Sequence, residues 1–268
     1  MPRTLRLPNA LGLAVALSVA TPKGALADHW SLRPLGGEHE SALTVGRGGW
    51  GIEAGAWTPR LGADLPPANA LESEVFQRWN ALPSWPEIRV LHGLQDGNEV
   101  IVRTGSVVNA GYRKMFLSAE APWGDEFLQA LIQGGVGLHL ASLRPMVYAN
   151  LPGVYHNGPF TLHIAGGGYY LFNDQPIVEG TLGVELRPLS FIDFGAAARL
   201  RMDSKKMTPN DGSWSYSGGL RLRPFPRWQL QVEAGQDVGP PTPAGGTPAF
   251  PRIEWPLQSV RATLSTHF

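Results

Sequence analysis

The chain ends Ser259–Phe268, SVRATLSTHF, with a strict two-residue alternation that runs to the last residue. Val260, Ala262, Leu264 and Phe268 fall in one phase, and Arg261, Thr263, Ser265 and His267 in the other. Successive side chains of a β-strand point to opposite faces, so this is the pattern of a strand with one apolar and one polar side. Chain ends are ordinarily polar and frayed. A terminus that keeps its alternation must be paired to another strand.

The same period recurs upstream. In Trp228–Val238, Trp228, Leu230, Val232 and Ala234 alternate with Gln229, Gln231 and Glu233. In Ser213–Arg223, Trp214, Tyr216, Leu220 and Leu222 share a phase, and the opposite phase ends at Arg221 and Arg223. Ile192–Met202 sets Phe194, Ala198 and Leu200 against Asp193, Arg199 and Arg201, and Val178–Arg187 sets Leu182, Val184 and Leu186 against Glu179, Thr181, Glu185 and Arg187. Leu162, Ile164, Tyr170 and Phe172 lie opposite Thr161 and His163. Leu128, Ile132, Val136, Leu138 and Leu140 lie opposite Gln129, Gln133 and His139.

Each segment is about 10 to 15 residues long, which exceeds the usual ~5–6 of soluble sheets and suits a tilted strand crossing a bilayer. The pattern predicts about twelve strands, with ten to fourteen compatible: 41–57, 87–94, 99–107, 109–118, 127–141, 146–155, 160–172, 177–187, 191–202, 213–223, 228–238 and 257–268. Short joints such as Asp96-Gly97-Asn98 and His156–Pro159 alternate with longer ones such as Asp203–Gly212 and Gly239–Pro256. That asymmetry matches the short periplasmic turns and longer outer loops of membrane barrels. Pro59–Pro86 reads as a long outer loop in which Leu71–Trp79 forms a short helix, and Gly239–Pro256 as an outer surface loop.

At the N-terminus, Arg3 and Arg6 precede the apolar run Ala10–Ala20, and Ala25-Leu26-Ala27 supplies small residues for cleavage. This order is that of a secretory signal peptide over 1–27, followed by a barrel domain over 28–268. The apolar run is too short to cross about 30 Å of hydrocarbon as a helix. Losing Arg3, Arg6 and Lys23, and no acid, would leave three more acidic than basic side chains.

Composition narrows the function. The full chain of 268 residues has equal numbers of basic and acidic side chains, so no nucleic-acid partner is expected. It has no cysteine, which excludes disulfides and thiolate chemistry. No cofactor motif is present, and His139, His163 and His267 do not converge as metal ligands by spacing.

Alternation by itself fits either a soluble barrel with an apolar core or a membrane barrel with a polar lumen. Strand length favours the membrane. So do the aromatics near strand ends, Trp50, Trp57, Phe160, Tyr170, Phe172, Trp214, Tyr216, Trp228 and Phe268, which would form interfacial belts. With the terminal Phe268 and the apolar phase before it, the ending resembles the closing strand of bacterial outer-membrane β-barrels; Thr266 stands where an aromatic is common in that class. The resemblance implies an all-β, closed antiparallel barrel in the outer membrane. It also implies outer-membrane lipid as surroundings and assembly machinery that reads Val260, Ala262, Leu264 and Phe268 as an insertion signal.

The polar phase then lines the lumen: Gln129, Gln133, His139, His163, Glu179, Glu185, Arg187, Asp193, Arg199, Arg201, Arg221, Arg223, Gln231, Glu233, Arg261 and His267. The expected role is passage or binding of a small solute, with the charges biasing selectivity. The alternative is a structural or surface-interaction barrel whose lumen its own ion pairs close. A lipid-acting enzyme is the third reading. His139 and Ser142 do not share a strand face cleanly, and His139 and His163, though possible neighbours across the barrel, have no acid assigned to them. No catalytic residue is therefore expected.

Overall fold

The computed structural model describes residues 31–35, 41–59, 85–105, 107–121, 126–139, 143–172, 176–203, 213–225, 227–238 and 259–268. The signal-peptide region, Leu71–Trp79 and Gly239–Pro256 lie outside them.

Twelve strands form the wall: β1 (Trp50–Pro59), β2 (Trp85–Gln95), β3 (Asn98–Thr104), β4 (Val107–Glu120), β5 (Glu126–His139), β6 (Arg144–Asn157), β7 (Phe160–Leu171), β8 (Pro176–Leu189), β9 (Ile192–Asp203), β10 (Ser213–Phe225), β11 (Trp228–Val238) and β12 (Ser259–His267). Each pairs antiparallel with its sequence neighbours, and β1 pairs with β12, so the sheet closes on itself. Closure removes the two free edges an open sheet would leave. The C-terminus makes the seam: the Trp50 amide donates to the Phe268 carbonyl at 2.7 Å, and the Phe268 amide returns the bond to Trp50 at 3.0 Å.

Connections at one end are tight where the backbone permits. Gly97 and Gly158 take left-handed φ of 74° and 56° in the joints after β2 and β6, conformations that cost a Cβ-bearing residue and cost glycine little. Both chain ends of the barrel lie at this turn end. β1, β9 and β11 end, and β2, β10 and β12 begin, at the opposite, loop end. Within β6, the ladder to β5 passes from Ala130↔Gly153 to Gln133↔Asn150, skipping Pro152, which has no amide proton to offer.

The polarity is inverted relative to a soluble barrel. Ile88, Val102, Ile132, Val136, Leu151, Ile164, Leu182, Leu186, Phe194, Val232 and Leu264 are exposed on the outside, while Arg89, Glu99, Arg113, Glu185, Asp193 and Arg221 are buried inside. Trp50, Phe160, Phe172, Trp228 and Phe268 are exposed near strand ends. Such a surface is stable against hydrocarbon and not against water.

The first strand begins at Trp50, not at residue 41. Ser41, Ala42 and Leu43 are buried in succession, which no half-exposed strand allows. Gly46 and Gly48, at φ of 76° and 72°, turn the chain before the wall begins. The turn rests on β2: the Gly48 amide donates to the Gly93 carbonyl at 2.8 Å, and the Gly93 amide to the Gly49 carbonyl at 3.0 Å. A Cβ on Gly93 would collide with the Gly46 carbonyl, so glycine there is what lets the two backbones touch. Upstream of this turn, 31–35 and 41–45 lie inside the barrel.

Candidate functional site: an occupied lumen

The lumen contains three polar groupings and one apolar patch, and the internal segment, through its described residues 31–35 and 41–45, touches all of them. The first grouping is a ladder of alternating charge across β2, β1, β11 and β12. Arg89 Nε lies 3.7 Å from Glu53, Glu53 lies 3.6 Å from Arg33 Nε, and Arg33 Nη1 lies 2.6 Å from Glu233. Glu233 lies 3.7 Å from Arg261 Nη1, and Arg261 Nε 3.2 Å from Glu87. Arg33 is the one member that the wall does not supply.

The second grouping centres on Arg221 of β10. Its Nη1 reaches Glu185 of β8 at 2.8 Å and Asp193 of β9 at 3.2 Å. Asp193 also accepts from Arg187 Nε at 2.6 Å and from Arg223 Nη2 at 2.6 Å. Arg221 Nε donates to Gln231 Oε1 at 3.2 Å, and Gln231 Nε2 donates to Glu233 at 2.6 Å, joining this grouping to the ladder. His163 Nε2 sits 3.3 Å from Glu185. Buried charges persist only when opposed charges and hydrogen bonds answer them. Here the carboxylates of Glu185 and Asp193, on two strands, share the guanidiniums of Arg187, Arg221 and Arg223.

The third grouping is Glu99 of β3 and Arg113 of β4, 3.4 Å apart. Glu99 Oε1 accepts from the Val45 amide at 2.6 Å, and Arg113 Nη2 donates to the Ser41 carbonyl. The wall thus binds the main chain of the internal segment as well as its side chains. Within that segment the Ser41 amide donates to the Leu32 carbonyl at 2.8 Å, so its two arms lie against each other.

Between these groupings, Leu91, Ile101, Phe127, Leu131 and Val154 point inward from β2, β3, β5 and β6 and pack with Leu32, Ala42 and Leu43. They stand in the otherwise polar phase. An apolar patch facing an aqueous lumen would be unfavourable by roughly 25 cal/mol per Å² left wet. The segment covers it.

Of the residues assigned to the lumen from sequence, Gln129, Gln133, His163, Glu179, Glu185, Asp193, Arg221, Gln231, Glu233 and Arg261 are buried. Arg187, Arg199, Arg223 and His267 are partly buried, with Arg199 Nε donating to Ser215 at 3.3 Å. The side chains of His139 and Arg201 lie outside the described residues. His139 and His163 are not neighbours. His139 closes β5 opposite Val107 and Arg144 at the loop end, while His163 pairs with Val154 and Gly183 near the turn end, where an acid, Glu185, does meet it.

Glu53, Glu87, Arg89, Glu99, Arg113 and Arg33 are lumen residues absent from the sequence-based set. For Glu87 and Arg89 the signal is the same alternation, Glu87-Arg89-Leu91 against Ile88 and Val90. For Arg33 the signal is indirect: Leu91, Ile101, Leu131 and Val154 interrupt the polar phase and call for an apolar partner inside.

No family model and no curated protein matches this chain. Among solved structures, the KdgM porin aligns over 81% of this chain and 99% of its own, at 11% identity and a TM-score of 0.46. The COG4313 outer membrane channel of Pseudomonas putida F1 aligns over 83% and 96%, at 11% identity and 0.49. Omp33 of Acinetobacter baumannii aligns over 82% and 98%, at 8% identity and 0.43. Those values are too low to transfer a function. The chain's own architecture decides its class: twelve antiparallel strands closed into a ring, apolar outside and ionic inside, are the fold of a bacterial outer-membrane β-barrel.

Proposed function

We propose that this barrel resides in the outer membrane and passes or binds small solutes along its polar lumen, with residues 31–35 and 41–45 occupying that path in the resting state. The single observation that supports it most is the seating of Arg33. A barrel stabilised only by its own wall needs no charge from outside the wall, yet Glu53 and Glu233 converge on this one guanidinium. A segment so held closes a path, and leaves one when withdrawn. Residues 1–27 act in this reading as the export signal, and Val260, Ala262, Leu264 and Phe268 as the feature recognised during membrane assembly.

The structural-barrel reading keeps one specific support: the ladder and the Arg221 grouping already cross-link β1, β2, β8, β9, β10, β11 and β12. Planar-bilayer recording separates the two. The native protein should show small or rare conductance steps, and Arg33→Ala combined with Leu35→Ala should show larger and more frequent ones. Absence of steps from both proteins, at any salt concentration, would leave only the structural reading.

A further inference from the structure

The wall around residues 33–35 holds them as it would hold a short extended peptide. The Arg33 guanidinium lies between Glu53 and Glu233, at 3.6 and 2.6 Å. The Arg33 carbonyl accepts from Arg221 Nη2 at 2.8 Å, and the Leu35 amide donates to Glu185 Oε1 at 2.7 Å. The Leu35 side chain fills a notch left by two glycines. A Cβ on Gly195 would stand 2.6 Å from Leu35 Cβ, and one on Gly219 would stand 3.2 Å from Leu35 Cδ2. Pro34 between them has no amide proton and a fixed φ, so it presents the flanking groups with little freedom to lose. A guanidinium clamp, a donor to the carbonyl, an acceptor for the amide and an aliphatic notch together read a basic residue, a spacer and a branched aliphatic residue. None of these contacts uses the covalent link to β1.

We propose that this wall is a binding site for short peptides of basic–spacer–branched-aliphatic sequence, and that Arg33–Leu35 is its occupant in cis. The binding elements come from β1, β8, β9, β10 and β11, so they are fixed by the closed sheet whether or not the segment is seated. A tether of this length supplies its own segment at an effective concentration of order mM, so a free peptide competes only at that level unless the cis occupant is weakened. The site stands on its own geometry and does not require that ions pass.

The test uses full-length protein in detergent and a fluorescein-labelled peptide, Ser-Leu-Arg-Pro-Leu, read by anisotropy. Arg33→Ala with Leu35→Ala should bind it saturably, and the native chain should bind it at least about tenfold more weakly. Glu233→Gln added to that pair, or a peptide with Glu in place of Arg, should each weaken binding by about tenfold or more, the usual consequence of removing one partner of a buried charge pair. No binding by a variant that still shows heat-modifiable barrel mobility, or equal binding of both peptides, overturns the proposal. Conductance of the same sample keeps the two readings apart: steps without peptide binding overturn the site alone, and binding without steps overturns the channel alone.

Where the double variant fails to assemble, Leu35→Cys in the native background gives the same decision. The chain has no other cysteine. Millimolar unlabelled peptide should speed maleimide labelling at position 35 several-fold, and the charge-reversed peptide should not. An unchanged rate overturns the site.

Discussion

Arg33 and Glu233 meet at 2.6 Å with relative side-chain exposures of 0% and 5%, across a sequence separation that spans almost the whole barrel. The contact joins a segment that precedes the wall to the next-to-last strand of the wall. It fixes the segment inside rather than beside the sheet. Glu53 and Arg221 reinforce it, one through the guanidinium and the other through the Arg33 carbonyl.

Removing the guanidinium should release the segment without opening the wall. Arg33→Ala leaves Glu53 and Glu233 buried with one partner fewer, a change that costs about 3–5 kcal/mol when the remaining charges cannot relax. Withdrawal of the segment lets water reach both carboxylates and relieves that cost. Limited proteolysis should then cut within 41–45 in the variant and spare those bonds in the native protein. Heat-modifiable migration should persist in both. Equal protection of the segment in the two proteins would show that Arg33 is not what holds it.

The glycine notch makes a second, independent prediction. Gly195→Val places a side chain where Leu35 now lies, an overpacking of about 1–3 kcal/mol. Leu35→Ala alone should cost about 2–5 kcal/mol of the segment's hold through its vacated volume. Combined, the two changes should be strongly non-additive, because the valine occupies the space the leucine vacates. Denaturant midpoints of segment release, followed by protease sensitivity, give the cycle. Strict additivity would mean that Leu35 and Gly195 are not in contact.

The strand faces can be tested at the seam. Leu264 of β12 is 44% exposed on the outside, whereas Ser265 beside it is buried inside. Leu264→Arg should block membrane assembly, since an outward arginine near mid-bilayer costs ~2–4 kcal/mol. Ser265→Ala should assemble normally. Folded fractions from gel mobility after refolding into lipid vesicles measure both, and equal folded fractions would contradict the assignment of faces.

The barrel was legible because alternation repeats over strands long enough to average out exceptions. Twelve strands, their order and the closing role of Ser259–Phe268 follow from it with small shifts at the ends. The first strand was misplaced for a physical reason. Ser41–Val45 is short, small and apolar enough to pass as a strand, and what it packs against is supplied by residues far along the chain: Phe127, Leu131 and Val154. Local propensity cannot report such a partner. The lumen was half legible. Glu185, Asp193, Arg221 and Arg261 follow from phase, but their pairing depends on which strands meet across the barrel. Arg33 belongs to no strand, so periodicity assigned it no face.

Charge in the ladder biases what an open lumen would favour. With the segment seated, Glu53, Glu87 and Glu233 face Arg33, Arg89 and Arg261, and the ladder is neutral. Withdrawing Arg33 leaves three carboxylates against two guanidiniums, a net charge of −1 within the ladder. A fixed charge in a narrow, low-dielectric passage acts with less screening than one at the surface, so even one unit biases permeation. Arg33→Ala should therefore shift the reversal potential toward cations in a KCl gradient, and Arg33→Lys should not. Adding Glu233→Gln to Arg33→Ala restores the balance and should return the reversal potential toward its starting value. An anion-selective shift in Arg33→Ala, or no reversal by Glu233→Gln, would place the selectivity elsewhere in the barrel.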